Sequence, residues 1–538
     1  MTDIFEPRFL LASLHIEAIL RGTTAARRRK TLKSINDGAG LGNAYGATLE
    51  RIEAQDDEKA RLAMATLTWI CHSERPLQVV ELCHALAVEI GEADFDPENV
   101  PSIGILLDCC QGLMEVDAEA STVRLIHYTV QEYLCSRPGF FIRPNSVLAE
   151  TCLTYLNSQQ VNNLTSRSIP DYKSMPFLKY SSRYWGTHTS MDLSENARAL
   201  ALKLLSQYEH HISAVSLLEQ VLNSRYIGFI TTSPLFSGLH CASFFGIVEL
   251  VTLLINAGGY EVDQQDCVCK TPLAWAAENG HERVAKALLG RKDVDPNRPD
   301  VYDRTPLVWA AAMGHEGLVK ILLELENIDP NRPDKDREGP LGWAAIYGYE
   351  GVVKLLLERD DIDPNRPDNN DRTPLGCAAF EGHEGVVKLL LGRENVDPNG
   401  PDINGRTPLE NATIKGHEGV VKLLLERGNL NPNRPNEGGR APLTNAPIRG
   451  QEVVTRSSLE QNVDLNRPDD YHRTPLTNAA INGQEEVATL SPEPEDSDPN
   501  HPDSDDRISI ETPNVPARVE ARWDRLKKRV SFFRKRRT

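Results

Sequence analysis

From residue 237 to about 430, apolar positions fall into short helical groups separated by polar turns. In 305–324, TPLVWAAAMGHEGLVKILLE, Leu307, Ala310 and Ala311 are spaced for one face of a short helix. Leu318, Val319, Leu322 and Leu323 form the stripe of a second helix. Thr305 is a good N-cap, and Pro306 fits the first helical position, where its missing N–H costs nothing. Gly314 is placed to end the first helix, and the run DPNRPD (295–300) turns the chain back. The pattern therefore predicts a turn and two antiparallel helices, and it is written many times. The TPL triplet and its degenerate copies begin at Ser237, Thr271, Thr305, Gly339, Thr373, Thr407, Ala441 and Thr474, an interval of 34 residues six times and then 33. One such hairpin cannot bury its own stripe, whereas stacked copies share a continuous core in which each copy is the surface for the next. Each inward Leu or Val should then contribute about 1.5–3 kcal/mol. A catalytic site needs to be written once; a sentence repeated at fixed interval is being stacked.

A period near 33 with TPLxxAA resembles the ankyrin repeat. The last two copies are degenerate: Ser457 and Ser458 stand where a leucine pair is expected, Pro447 interrupts a first helix and Pro492 a second. Good packing is expected to about 430 and looser packing to about 490. His281, His315, His383 and His417 follow the glycine of their copies. They sit a whole repeat apart, and in ankyrin repeats this histidine belongs to the scaffold, so no metal is expected of them. Trp275, Trp309 and Trp343 share one column and are expected in the core. The DPNRPD acids lack the alternating DxDxDG ladder of a calcium loop.

Variation within the copies is more informative. The residues before the loop glycine are Asn279, Met313, Tyr347, Glu381 and Lys415, and the hairpin tips carry Val301 and Tyr302, Lys335 and Asp336, Asn369 and Asn370, Ile403 and Asn404. In ankyrin proteins such positions line the concave face and its rim, so these thirteen are the candidate partner-binding residues. Tyr and Met are types that anchor interfaces.

Residues 1–236 lack the repeat. Helical spacing can be read at 7–20, 43–55 and 58–71, then in SERPLQVVELCHALAVE (73–89) and PSIGILLDCCQGL (101–113). GLMEVD and STVRLIHYTV alternate around a polar turn, as a β-hairpin does, and HYTVQEYL (127–134) resumes helical character. Helices, a hairpin and a further helix suggest a winged helix. Residues 61–135 hold three Arg or Lys (Arg61, Arg75, Arg124) against twelve Asp or Glu, and the stretch 101–111 has no basic residue. Phosphate contacts need cations, so nucleic-acid binding is not expected. RFLLASLHIEAIL, LGNAYGATLERI, WICHSERPLQVVELCHALAVEIG, NVPSIGILLDCCQGLMEV and RLIHYTVQEYL resemble the segment that follows the NTPase core in fungal NACHT–ankyrin proteins, which are laid out like NOD-like receptors. PFLKYSSRYWGTHT (176–189) is similar to their helical bridge into the repeats. The resemblance implies a vestigial nucleotide contact at His127. A capping role near the hairpin's end is the alternative. A P-loop needs GxxxxGK[ST]. The nearest glycine cluster, GAGLGNAYG (38–46), lacks the lysine. The family's NTPase activity is therefore not carried over, and the back half of such a receptor is expected.

Composition adds limits. A formal net charge of −18 over 538 residues repels polyanions from most of the surface. The ten cysteines include no CxxC pair, and Cys267 with Cys269 make only CxC, so reduced structural thiols are expected. The start MTDIFEPRF lacks the basic region of a signal peptide, and the expected compartment is the cytoplasm or the nucleus. At the far end, 515–538 carries ten Arg or Lys against two acids. Its readings are an import signal, an amphipathic helix on anionic membrane, a solvated tail, or an RVxF-like docking motif at Arg529–Phe532. An import receptor or a type-1 phosphatase would then meet Lys527–Arg537.

The expected architecture is all-α dominated. A helical segment (1–60), a winged-helix-like domain with a small hairpin (61–136) and a helical bridge (137–236) precede an ankyrin α-solenoid of about eight repeats (237–490). A disordered acidic linker (491–516) and a basic tail (517–538) follow. A protein–protein interaction scaffold is expected, probing no chemistry of its own: no catalytic residues, no cofactor and no metal. A nuclear regulatory role and an in-trans partnership with a nucleotide-bound NACHT NTPase are the alternatives.

Overall fold

The computed structural model describes residues 41–92, 94–164, 172–222, 235–427, 430–432 and 434–437. The expected helix at 7–20, the last two repeats, the acidic linker and the basic tail lie outside them. The described residues divide into two compact units, one formed by those up to 276 with 283–294 and the other by 277–282 with those from 295 onward.

In the first unit, α1 (Leu41–Glu53) and α2 (Asp57–His72) lead into a winged helix. Asp56 caps α2 by accepting from Lys59 N at 2.9 Å, and Asp57 and Glu58 complement the dipole in the first turn. α3 (Val79–Leu86) is shorter than the expected 73–89. Pro76 cannot donate a helical bond, and Gln78 instead opens the helix in a reciprocal capping box with Glu81. Buried Glu81 takes two bonds from Arg75, at 2.6 and 2.7 Å. α4 (Ile103–Cys109) follows, then β1 (Met114–Asp117) and β2 (Thr122–Leu125), antiparallel with Met114 opposite Leu125. Asp117 holds the turn between them through Glu119 N and Ala120 N, both at 3.0 Å. The chain at Leu77–Val79 borders the hairpin, with Val123 N donating to Leu77 O at 2.9 Å and Val79 N to Ser121 O at 3.0 Å. α5 (Tyr128–Ser136) closes the module.

The bridge consists of α6 (Pro144–Leu156), α7 (Gln159–Asn162), α8 (Leu178–Met191), α9 (Glu195–Leu205) and α10 (Ile212–Val221). It shares a core with the winged helix: the Trp69 ring lies 5.5 Å from Phe177 and 5.6 Å from Tyr180, both edge-on. α11 (Gly238–Phe245) and α12 (Val248–Ala257) form the first repeat-like hairpin. Gly238 permits the approach of α11 to α9, because a Cβ there would lie 2.3 Å from Leu205 O.

α13 (Pro272–Asn279) and α14 (Glu282–Leu289) come next. The second unit then continues with α15 (Pro306–Ala312), α16 (Glu316–Leu323), α17 (Pro340–Tyr347), α18 (Glu350–Leu357), α19 (Pro374–Glu381), α20 (Glu384–Leu391), α21 (Pro408–Lys415) and α22 (Glu418–Leu425). Pro occupies the first position of α15, α17, α19 and α21, as the sequence pattern requires. The stripe of α16 is narrower than expected: Leu318, Val319 and Leu322 are buried, and Leu323 is half-buried. No described helix is long and apolar enough to cross a membrane.

Candidate partner-binding face of the repeats

Each repeat of the second unit is held by its polar turn. The final aspartate of the turn is buried at Asp300, Asp334 and Asp368. One of its oxygens accepts two backbone N–H bonds, as at Asp334 from Asp336 N (2.8 Å) and Glu338 N (3.0 Å). The other oxygen accepts the indole N–H of the following helix, from Trp309 to Asp300 and from Trp343 to Asp334, each at 3.1 Å. The tryptophans are therefore core residues with a satisfied N–H, as expected, rather than an open aromatic groove. The histidine column is scaffold as well. Nε2 of His315, His383 and His417 bonds the carbonyls of Glu278, Ile346 and Phe380 one repeat earlier, at 3.1, 3.0 and 3.1 Å.

The turn asparagines are staples that the sequence reading did not single out. Asn331 donates to Asp361 O at 2.6 Å and accepts from Asp363 N at 2.8 Å, so one amide brackets the backbone of the next repeat. Asn297 and Asn365 repeat this arrangement with Asn327, Asp329, Asn395 and Asp397. The strict recurrence of DPN was the available signal, and it reads equally as turn chemistry.

The hairpin tips join in a ladder. Lys335 N donates to Tyr302 O (2.9 Å), Asn369 N to Asp336 O (2.9 Å) and Ile403 N to Asn370 O (2.7 Å). Eight of the candidate residues therefore lie on one continuous edge, and their backbones serve the scaffold while their side chains vary. Lys335, Asn369, Ile403 and Asn404 are exposed; Val301, Tyr302, Asp336 and Asn370 are half-buried. Ile403 is 55% exposed, unusual for an isoleucine and unexplained by packing.

The second set, Asn279, Met313, Tyr347, Glu381 and Lys415, sits at the carboxyl ends of α13, α15, α17, α19 and α21. The column runs from neutral to charged. Tyr347 stacks on Trp343 with centroids 5.8 Å apart and planes at 15°, and its hydroxyl has no hydrogen-bond partner. Burial pushes the Tyr347 phenol well above its usual range. Lys415 Nζ lies 4.2 Å over the Phe380 ring.

Two residues that the sequence reading missed also shape this region. Arg304 is buried, pairs with Asp334 of the next repeat at 3.0 Å, and lies over Trp309 and Trp343 at 5.1 and 4.8 Å. Phe380 lies beneath both Lys415 and Arg372. The chain-order signal was the residue before each TPL copy (Lys270, Arg304, Glu338, Arg372, Arg406), a basic column with one acid in it.

His127, in the first unit, caps α5. Its Nδ1 accepts from Thr129 N at 3.3 Å and contacts Thr129 Oγ1 at 2.8 Å. The side chain therefore does the structural job named as the alternative to a phosphate contact.

This geometry defines the class: a repeat protein whose side chains are spent on stacking and on one variable edge, joined to a winged helix. Residues 239–334, 318–402 and 341–436 match the ankyrin repeats family, in three copies. Residues 49–140 match the winged helix domain of GPI inositol-deacylase. A curated relative is the azaphilone pigments biosynthesis cluster protein L of Monascus ruber, 27% identical over 281 residues, which cover 45% of this chain. The chain spans 58% of that relative's length.

Proposed function

We propose that this chain is a non-enzymatic protein–protein interaction scaffold, in which the tips and helix ends of the second unit receive a protein partner. Ankyrin repeats support an interaction role. The observation that carries the finer reading is the division of labour within each repeat. The turn Asp and Asn positions are constant and tied into the stack, while the tip and helix-end side chains change from copy to copy on a fixed backbone ladder. A rigid frame with variable outward positions suits recognition, since little ordering entropy is lost on binding. Ile403, an exposed isoleucine on the tip ladder, is the natural anchor.

The test is affinity capture with three forms of the chain, each shown to fold by circular dichroism. Wild type should retain a partner. The variant Lys335→Ala, Tyr347→Ala, Ile403→Ala should lose at least tenfold of it. Lys354→Ala, on the second helix of a repeat, should behave as wild type. Equal retention by all three would remove the assignment.

A second reading is favoured by the winged-helix match at 49–140: the chain is part or remnant of a NACHT-type signalling receptor and associates with a nucleotide-bound NACHT NTPase. It implies capture of such an NTPase that depends on added nucleotide, and nucleotide-independent capture would count against it. In either case the purified chain should hydrolyse neither ATP nor GTP. We place it in the cytoplasm, with nuclear entry dependent on residues 525–538.

A further inference from the structure

Two columns of the repeats break their pattern in successive copies. Among the residues preceding the TPL copies, Lys270, Arg304, Arg372 and Arg406 are basic and Glu338 is not. In the tryptophan column, Trp275, Trp309 and Trp343 are followed by Cys377. The two departures meet. One ligand atom each from Glu338, Asp368 and Cys377 lie within 4.8 Å of one another, all three residues being buried.

The neighbours are otherwise balanced. Asp334 pairs with Arg304 at 3.0 Å, and Asp368 with Arg372 at 2.8 Å. Glu338 is the fifth ionisable group and has no counter-charge of its own. It is only 3% exposed, and among the described residues neither its carboxyl nor the Cys377 thiol has a hydrogen-bond or ion-pair partner. A buried carboxyl and a buried thiol within 4.8 Å of each other, neither with a hydrogen bond among the described residues, are an unsatisfied arrangement. Arg372 meanwhile fixes Asp368, donating to its Oδ2 from Nε (3.1 Å) and a terminal nitrogen (2.8 Å).

We propose that Glu338, Asp368 and Cys377 form a binding site for a divalent transition metal ion of borderline softness, zinc being the fitting member. One thiolate and two carboxylates are ordinary zinc ligands, and tetrahedral ligand atoms lie ~3.4 Å apart, a closure within rotamer reach of the present spacing. The charge balance is favourable. Binding converts Glu338–COOH and Cys377–SH to carboxylate and thiolate and releases two protons, so a dication enters with no net change in buried charge. Burial and the adjacent Asp368 and Asp334 push the Glu338 carboxyl well above its ordinary range, and burial pushes the Cys377 thiol up.

The experiment is cobalt(II) titration of the full-length chain with its thiols kept reduced by a phosphine. The expected result is one equivalent bound, with a thiolate-to-cobalt charge-transfer band that zinc abolishes. Cys377→Ser should remove the band, and Glu338→Arg, which restores the residue type of its column, should weaken uptake at least tenfold. Absence of the band from wild type overturns the proposal. Survival of the band in Cys377→Ser assigns it to another thiol and also overturns it. If Cys377→Ser does not fold, Glu338→Arg decides: unchanged uptake overturns the site. These outcomes do not depend on whether the tips bind a partner.

Discussion

At the scale of single residues, the turn asparagine does more than its sequence context announces. Asn331 makes two inter-repeat bonds, so Asn331→Ala should cost about 1–3 kcal/mol, at about 0.5–1.5 kcal/mol net per hydrogen bond. Urea unfolding followed by circular dichroism measures this, and an unchanged midpoint would deny the staple. Glu338 yields a second prediction, measured with chelator present. Its folded-state pKa lies above the 4.5 of the free carboxyl, because of burial first and then Asp368, Asp334 and Asp336, with Arg372 opposing. The unfolded chain therefore loses this proton at lower pH than the folded chain. The group's stabilising contribution is intact below the unfolded value and is lost as pH rises above it. Glu338→Gln should match wild type near pH 4 and become progressively more stable than it toward pH 7; a pH-independent difference would refute the assignment. The residue scale was the least legible in sequence. Asn in DPN reads as turn chemistry, and His127 reads equally as cap or contact, because one-dimensional text does not say which neighbour a polar atom meets.

At the scale of elements, helix existence was legible and helix length less so. The second helices follow from the leucine stripe, and the first helices from Thr-Pro starts and glycine ends. The helix expected at 73–89 shortens to Val79–Leu86 because Pro76 and the Gln78–Glu81 box set its start. Leu77–Val79 is drawn instead to the hairpin, a long-range pairing that local periodicity does not encode. Glycine ends are required by more than local conformation. Gly348 has φ +73, and a Cβ there would meet the His383 ring at 2.6 Å. Gly348→Ala should therefore destabilise by roughly 2 kcal/mol or more, combining left-handed strain of about 1–2 kcal/mol with displacement of the histidine. His383→Ala should not add its full cost to Gly348→Ala, since both act on one contact. Strict additivity in thermal unfolding would contradict the close approach.

At the scale of the whole molecule, the all-α architecture with one small hairpin was legible because the repeat is a statement about packing rather than about any single residue. The candidate face was legible only as variability. The structure adds that its tips form one hydrogen-bonded edge and that Arg304 and Phe380 belong to the same surroundings. What docks on that edge is set by a partner's surface, which no periodicity in this chain records. The most direct test is hydrogen–deuterium exchange of the full chain with and without a captured partner. The account predicts new protection in peptides spanning the tips and helix ends, 299–315, 333–349, 367–383 and 401–417. Protection confined to 41–136, with those four segments unchanged, would contradict it.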